Sequence, residues 1–562
     1  MKISECNRKQ AIIRLLTCWA VTILLSTNIL SASVHHPEQS RAFPNTRDGI
    51  HIFYDQLPFN LTQAQLRFAA EHYVGCQKIP LDMVDAVRNY NDDFIVLNYR
   101  LAFGTYENMA HYIDGNDWVD DWNTVSPHTD WFITDPGSPL PGGRIRQNDW
   151  GWYLMDISGE VNGNTSDGWK EYWARTVMDQ LRHTHCDGVF ADSYCFPWNL
   201  NVTPAWLSPP DDVAWIHHME VFGNHVRNQF AGQPEAFSFI PNVGAWITTR
   251  NTCDYGAFVD GVMVEMFASP GPWDLYDIED WKLEMNRILD LERRDKIVLC
   301  QPITEDEWAV DERMYNLAMY LLIKGERTYY NLVFGENFYD RLIFFPECTI
   351  DLGPYTGDIP SNIDVLYEPS PGVYCRDYEN GKVFVNPTWD DVTLNLDREY
   401  YAIDTDDLFQ DPQIDIGEDG IFRDDIQYRT VSGTQTIGEK GGLILLNSVT
   451  DVSDGKHHVT ESEPNRCMTN HPNPFNENTR ITIHLSEIHS DEEAAITIYD
   501  AIGREIKHLQ LSSPRVGQNC VTWDGTDSEQ CPVPSGLYLY ALRTAQGHRF
   551  DQKAFGKMIL LK

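Results

Sequence analysis

Three apolar runs end abruptly in a carboxylate: Leu154-Met155-Asp156, Val189-Phe190-Ala191-Asp192 and Met263-Val264-Glu265. A carboxylate set beside apolar residues needs a partner or a function, because burying an unpaired charge is costly. Two such groups facing across a cleft lined with aromatic rings can cleave a glycosidic bond. One protonates the departing oxygen, and the other attacks the anomeric carbon or activates water. Asp156, Asp192 and Glu265 are the candidates for such a pair, with Glu305, four residues past Gln301, as a reserve acid/base. Reading each candidate strand to its last polar residue adds Gln77, Tyr99, Asn242 and Gln301. Of these, Tyr99, Asn242 and Gln301, with Asp156 and Arg100, are expected to position sugar hydroxyls, while Trp152 or Trp246 stacks on the ring. For any one of them the plainer roles are a helix cap, an internal salt bridge or a core ring. Fourteen of the 17 tryptophans lie between Trp118 and Trp308; Trp198, Trp246 and Trp273 fall in loops, whereas Trp169, Trp173, Trp215 and Trp281 sit on helical faces and read as core.

The elements that must carry these residues alternate. Candidate strands at 73–77, 94–99, 152–156, 188–192, 237–242, 262–266, 297–301 and 329–333 are separated by segments with apolar residues at steps of three and four, as in Trp169, Tyr172, Trp173, Val177, Leu181. Eight such units predict an α/β fold, a (β/α)8 TIM barrel over 50–345, whose strand ends converge on one mouth. A ninth run, His51-Ile52-Phe53-Tyr54, reads as a lead-in strand. The polar, aromatic stretch between Phe103 and Trp150 is expected to be a functional loop on the catalytic face. Residues 346–450 lose helical periodicity and carry turn chemistry such as Glu379-Asn380-Gly381-Lys382, predicting an all-β accessory sandwich. A linker at 451–468 leads to a small β-sandwich at 469–562, with strands near 480–485, 495–499, 520–523, 536–542 and 557–561.

Composition restricts the partners. With 43 basic and 83 acidic side chains in 562 residues the formal charge is −40, which disfavours nucleic acid and a polybasic membrane anchor. Residues 1–33 have the layout of a secretory signal: Lys2, Arg8, Lys9 and Arg14, then an apolar run from Leu15 to Leu25, then Ser31-Ala32-Ser33. Its removal takes away those four bases and Glu5, leaving −43. No later segment is long and apolar enough to cross a bilayer, so no transmembrane anchor is expected. The remaining ten cysteines are scattered; Cys520 with Cys531 is the most local candidate pair, and free buried thiols are the plainer expectation. HExxH and zinc-spaced Cys/His groups are missing, so neither metal nor cofactor is expected. The acidic stretch from Asp404 to Asp425 lacks an EF-hand pattern and reads as a solvated loop.

Two resemblances sharpen the reading. Phe68-Ala69-Ala70 through Gln77-Lys78, Tyr99-Arg100-Leu101, Trp152 to Asp156, Cys186-Asp187-Gly188-Val189-Phe190-Ala191-Asp192-Ser193 and Asp260-Gly261-Val262-Met263-Val264-Glu265 resemble bacterial hypothetical glycosyl hydrolases of the barrel type. The resemblance covers about half of the chain. It implies Asp192 at the end of the fourth strand as nucleophile, or as base in an inverting enzyme, and Glu265 on the sixth as acid/base. His471-Pro472-Asn473-Pro474-Phe475-Asn476, Ile498-Tyr499-Asp500-Ala501-Ile502-Gly503-Arg504, Thr522-Trp523-Asp524-Gly525, Ser535-Gly536-Leu537-Tyr538 and the end at Lys562 resemble the sorting domain of type IX secretion, similar to the immunoglobulin-like fold of a flagellar hook-capping protein. That implies a partner in the secretion machinery and release or attachment at the cell surface. The expectation is a secreted glycoside hydrolase acting on a poly- or oligosaccharide. The alternative is a non-catalytic carbohydrate-binding or structural protein on the same scaffold.

Overall fold

The computed structural model describes residues 41–561 apart from 108–121, 148–149, 165, 195–212, 251–252, 270–275, 336–337, 411–413, 423–425, 450–467, 472–474, 477, 486–493, 501–503, 512–516 and 545–554. The chain divides into two compact units at Val449/Thr450.

The first unit is built on eight parallel strands: β1 (Ile52–Gln56), β2 (Tyr73–Gln77), β3 (Ile95–Leu101), β4 (Gly188–Asp192), β5 (Ser238–Pro241), β6 (Gly261–Glu265), β7 (Ile297–Gln301) and β8 (Thr328–Tyr330). They pair in the order β5-β4-β3-β2-β1-β8-β7-β6. A parallel bridge between Asn242 and Met263 brings the two edges together, so the barrel-like sheet is nearly closed. Runs such as Ile95-Val96-Leu97 and Ile297-Val298-Leu299 are continuously apolar because both faces of each strand are buried. Six helices fill connections: α1 (Gln63–His72), α2 (Leu81–Arg88), α3 (Trp169–Thr184), α4 (Val213–Ala231), α5 (Ile278–Arg293) and α6 (Val310–Ile323). Their starts follow local rules. Thr62 and Gln65 form a capping box on α1, and Asp277 caps α5 by accepting from the Glu279 and Asp280 amides. Between β5 and β6 the described residues make only short 3-10 turns.

The sheet corrects the expected strand list at two places. Ile52–Gln56, read as a lead-in, is the first barrel strand, paired with β2 and β8. The run at 152–156 is not in the barrel: Tyr153–Leu154 pairs antiparallel with Gly104–Thr105, inside the excursion that leaves the end of β3. One strand enters and one leaves the count, so Asp192 still ends the fourth strand and Glu265 the sixth.

Inside the barrel, Phe53, Ile95, Leu97, Phe190, Ile240, Met263, Ile297, Leu299 and Tyr329 form a separate apolar core. Phe43 plugs its lower end, edge-on to Tyr329 and stacked on Phe53. Beside it the buried Asp187 accepts from the Val96 amide at 2.8 Å, Arg88 Nη2 at 2.7 Å and the Arg41 amide at 3.0 Å. The expected core tryptophans Trp169, Trp173, Trp215 and Trp281 are all fully buried.

After β8 the chain forms a six-stranded antiparallel sheet, in the order 367–368, 373–378, 381–386, 441–446, 400–403, 428–431, with a two-stranded layer of 392–395 and 434–437. The turn at Glu379-Asn380 joins a hairpin in which Tyr378 faces Gly381. This sheet packs on α6, where Arg376 Nη1 and the Tyr378 hydroxyl donate to the Leu322 and Leu321 carbonyls and so satisfy the helix end. The second unit holds a three-stranded sheet (468–471, 479–485, 517–523) and a four-stranded one (494–500, 505–510, 536–544, 555–560) around Ile481, Ile496, Trp523, Tyr540 and Met558. Cys531 is a free exposed thiol, so the local pair with Cys520 is not formed, and Cys76, Cys186, Cys253, Cys300, Cys348 and Cys375 are free and buried. Among the described residues no helix is long and apolar enough to cross a membrane.

Glu284 on α5 is fully buried, accepts the Ala268 amide at 3.2 Å, and leaves Oε1 without a partner. Burial pushes its carboxyl up to about 8. The folded chain therefore holds a proton there that the unfolded chain has lost. Its stabilising contribution is complete below the ordinary carboxylate range and falls away as pH rises toward 8. Thermal melts should place Glu284→Gln level with the parent near pH 4 and above it, by roughly 5 °C, near pH 8.5. Parallel melting curves across that range would contradict the assignment.

Candidate active site

Side chains alternate along a strand, so the residue two places beyond an inward apolar one also faces inward. Applied to the barrel core, this carries Phe53 to Asp55, Leu97 to Tyr99, Phe190 to Asp192, Ile240 to Asn242, Met263 to Glu265, Leu299 to Gln301 and Tyr329 to Asn331. All lie at the C-terminal ends of parallel strands and form one mouth.

Asn242 is its hinge. Its Nδ2 donates to Asp192 Oδ1 at 3.0 Å and to Glu265 Oε2 at 2.7 Å. Those two oxygens are therefore no more than 5.7 Å apart, the length of 3.0 Å and 2.7 Å laid end to end. The Tyr99 hydroxyl donates to the other oxygen of Asp192 at 2.6 Å. Burial first, and then the charge of Asp192, push the Glu265 carboxyl above its ordinary range, against the opposing pull of Asn242 and Lys78. Gln301 is buried and accepts from Asn331 Nδ2 at 3.1 Å.

Two charged residues at this mouth were missed in the sequence, Asp55 and Lys78. Lys78 Nζ bonds both oxygens of Asp55, at 2.9 and 3.0 Å, and Gln77 Nε2 also donates to Asp55. The ammonium lies 5.2 Å from the Phe190 ring centre and 5.7 Å from that of Tyr99. Burial lowers the basicity of Lys78, but Asp55, helped by Asp192 and Glu265, more than offsets this and raises it. The available signal was the run Ile52-Phe53-Tyr54-Asp55, which ends in a carboxylate like the others. Lys78, Ser193 and Met266 each directly follow a strand-end polar residue and take left-handed backbone, with φ of 62°, 57° and 61°. Such strain in non-glycine residues, on the order of 1 kcal/mol or more each, collects at functional sites.

Other expected site residues lie elsewhere. Arg100 is one place out of phase with Tyr99, so it points outward from the barrel and is buried against α3, near Gln180 and Thr176. Asp156 is consumed by its own loop, accepting from the Gly159 and Asn162 amides at 2.9 and 2.8 Å. Trp152 is 0% exposed, with its ring against Gly104, and cannot stack on a sugar in this structure. The Trp246 side chain lies outside the described residues, as do Trp198 and Trp273. Glu305 is exposed, beyond the end of β7. Among the described residues no group of three His, Cys, Asp or Glu side chains is arranged to hold a metal ion. A groove of about 600 Å³ lined by Gln63, Arg67, Glu71, His72, Tyr90 and Phe422 includes none of the strand-end residues.

Residues 88–382, just over half of the chain, match the family described as hypothetical glycosyl hydrolase family 15. The chain belongs to that family. The match takes in Tyr99, Asp192, Asn242, Glu265 and Gln301, whereas Asp55 and Lys78 precede it. Residues 471–548 match the FlgD Ig-like domain, which the chain carries at its C-terminal end. No curated protein matches. Among solved structures, a pullulanase from Bacillus acidopullulyticus is 9% identical over 75% of this chain and 63% of its own, with a TM-score of 0.35. A β-porphyranase of glycoside hydrolase family 86 from Bacteroides plebeius is 9% identical over 55% and 69%, with a TM-score of 0.24. PorZ, a surface component of the type IX secretion system of Porphyromonas gingivalis, is 14% identical over 22% of this chain and 14% of its own, with a TM-score of 0.12. The chain thus spans less than two thirds of the pullulanase and a small part of PorZ. Scores this low establish no shared fold or function.

The bridge makes the proton affinity of Glu265 depend on Asn242. The amide favours the charged form, so Asn242→Ala should move the Glu265 titration upward, and Lys78→Met should do the same. Infrared difference titration against Glu265→Gln measures this; a downward movement in either variant would refute the electrostatic reading.

Proposed function

We propose that the protein is an exported glycoside hydrolase that cleaves O-glycosidic bonds of an oligo- or polysaccharide with retention of configuration. Asp192 is the nucleophile and Glu265 the acid/base. The observation that carries the reading is the single Asn242 amide bonded to both carboxylates, which keeps their facing oxygens within 5.7 Å, the length of its 3.0 and 2.7 Å bonds end to end. Retaining enzymes hold their carboxyls about 5 to 5.5 Å apart, whereas inverting ones leave about 6.5 to 9.5 Å for a water. A carboxyl with raised proton affinity beside one that accepts two hydrogen bonds suits an acid next to a nucleophile.

In the first step Glu265 gives its proton to the leaving oxygen while Asp192 forms a bond to the anomeric carbon. In the second, water attacks that carbon, Glu265 takes the water's proton, and Asp192 leaves as carboxylate. Tyr99 and Asn242 keep the Asp192 oxygens in place through both steps. Family membership supports the substrate class. Carboxyls that share one amide across the mouth favour catalysis over the non-catalytic alternative.

The signal-like layout of residues 1–33 supports export, and the motif order within the Ig-like domain supports sorting through type IX secretion, with release or attachment at the cell surface.

Screening against a glycan and aryl-glycoside panel tests the activity. Asp192→Asn should lower kcat by at least about 10³-fold with the melting temperature unchanged. Proton NMR should show the first-formed product with the substrate's anomeric configuration. Full activity in the variant would dismiss Asp192, and an inverted first product would dismiss retention.

A further inference from the structure

Beside the two carboxylates of the mouth lies a second cluster organised by a third. The Asp55 side chain is 0% exposed, and Lys78 and Gln77 bind it directly. The aromatic stacking next to it fixes a further neighbour. Tyr54 stacks on Phe338 with ring centres 5.4 Å apart, and Phe338 sits edge-on to Tyr339. This sets Tyr339 beside Asp55 and Glu265, whose charges act on its hydroxyl. The result is asymmetric. The anchor is buried and its neighbours are more open: Tyr339 is 43% exposed, and the Lys78 side chain 19%.

An exposed aromatic ring and a cationic donor beside one buried carboxylate are the two groups a sugar ring uses. The apolar C–H face packs on the ring, and a hydroxyl accepts from the ammonium. The charge balance selects among sugars. Asp55 already neutralises Lys78, and Asp192 and Glu265 add acidity, so a sulfate or uronate would be repelled where a hydroxyl would not.

We propose that Tyr339 and Lys78, grouped about Asp55, form the sugar subsite next to Asp192 and Glu265, and that it accepts a neutral pyranose rather than an anionic one. This rests on the reading of the mouth as a glycosidase site and names the substrate class. The subsite supplies the stacking ring that the fully buried Trp152 cannot.

Binding is measured apart from turnover to test it. Full-length Asp192→Asn protein is applied to an array of neutral, sulfated and uronate oligosaccharides, followed by titration of the best neutral binder. Adding Tyr339→Ala or Lys78→Met should weaken that binding about tenfold or more, while Tyr339→Phe, which keeps the ring, should stay within about threefold. Melting curves identify variants that fail to fold, and Tyr339→Phe is the reference where Tyr339→Ala does. Unchanged binding in Tyr339→Ala, capture of sulfated or uronate glycans in preference, or capture of no glycan would overturn the proposal. Wild-type hydrolysis with unchanged KM in Tyr339→Ala would overturn the subsite alone. Tyr339-dependent binding without any hydrolysis would overturn the enzymatic reading alone.

Discussion

A β-strand side chain has two directions open to it, and in this barrel that restriction decides which residues can meet. Each strand spends its inward positions on apolar packing until its last one, where the next inward residue is polar. Phe190 is followed by Asp192, Met263 by Glu265, Ile240 by Asn242 and Tyr329 by Asn331. The barrel core therefore sets the register of the mouth. A slip of one residue in β4 or β6 would turn Asp192 or Glu265 outward into the helix layer. The Asp187 anchor at the opposite end matters for the same reason, since it directly precedes β4 and ties it to Val96 of β3.

The electrostatics follow from that placement. Bringing two carboxylates so close to an apolar core is unfavourable unless one holds a proton or donors compensate. Both remedies are present. Glu265 retains its proton more strongly than a free carboxyl, and Asn242 and Tyr99 donate to Asp192. Lys78 supplies the positive charge but is itself tied to Asp55. The arrangement raises the proton affinity of Glu265, as the acid of the proposed mechanism requires.

Much of this was readable in the sequence wherever an apolar strand stopped at a polar residue. Tyr99, Asp192, Asn242, Glu265 and Gln301 stood out for that reason, and the structure brings them to one mouth. Arg100 was misread because a one-residue phase change is invisible without knowing which face is core. Trp152 to Asp156 looked like a strand because the run is apolar, but its pairing with Gly104–Thr105 is a long-range contact that periodicity does not encode. Asp55 obeys the same rule as the others, but its strand is a ninth apolar run beside eight others and reads as a lead-in. Lys78 and Tyr339 carried no strand signal. One takes left-handed backbone just past its strand, and the other is placed by the stacking of Phe338 on Tyr54.

In the proposed reaction Asp192 forms a covalent bond to the sugar. Incubation with the 2-deoxy-2-fluoro form of a cleaved glycoside, followed by peptide mass spectrometry, tests it directly. One glycosyl adduct is expected, on the peptide and side chain of Asp192. An adduct on Glu265 or Asp55, or turnover of the parent glycoside with no adduct at all, would contradict it.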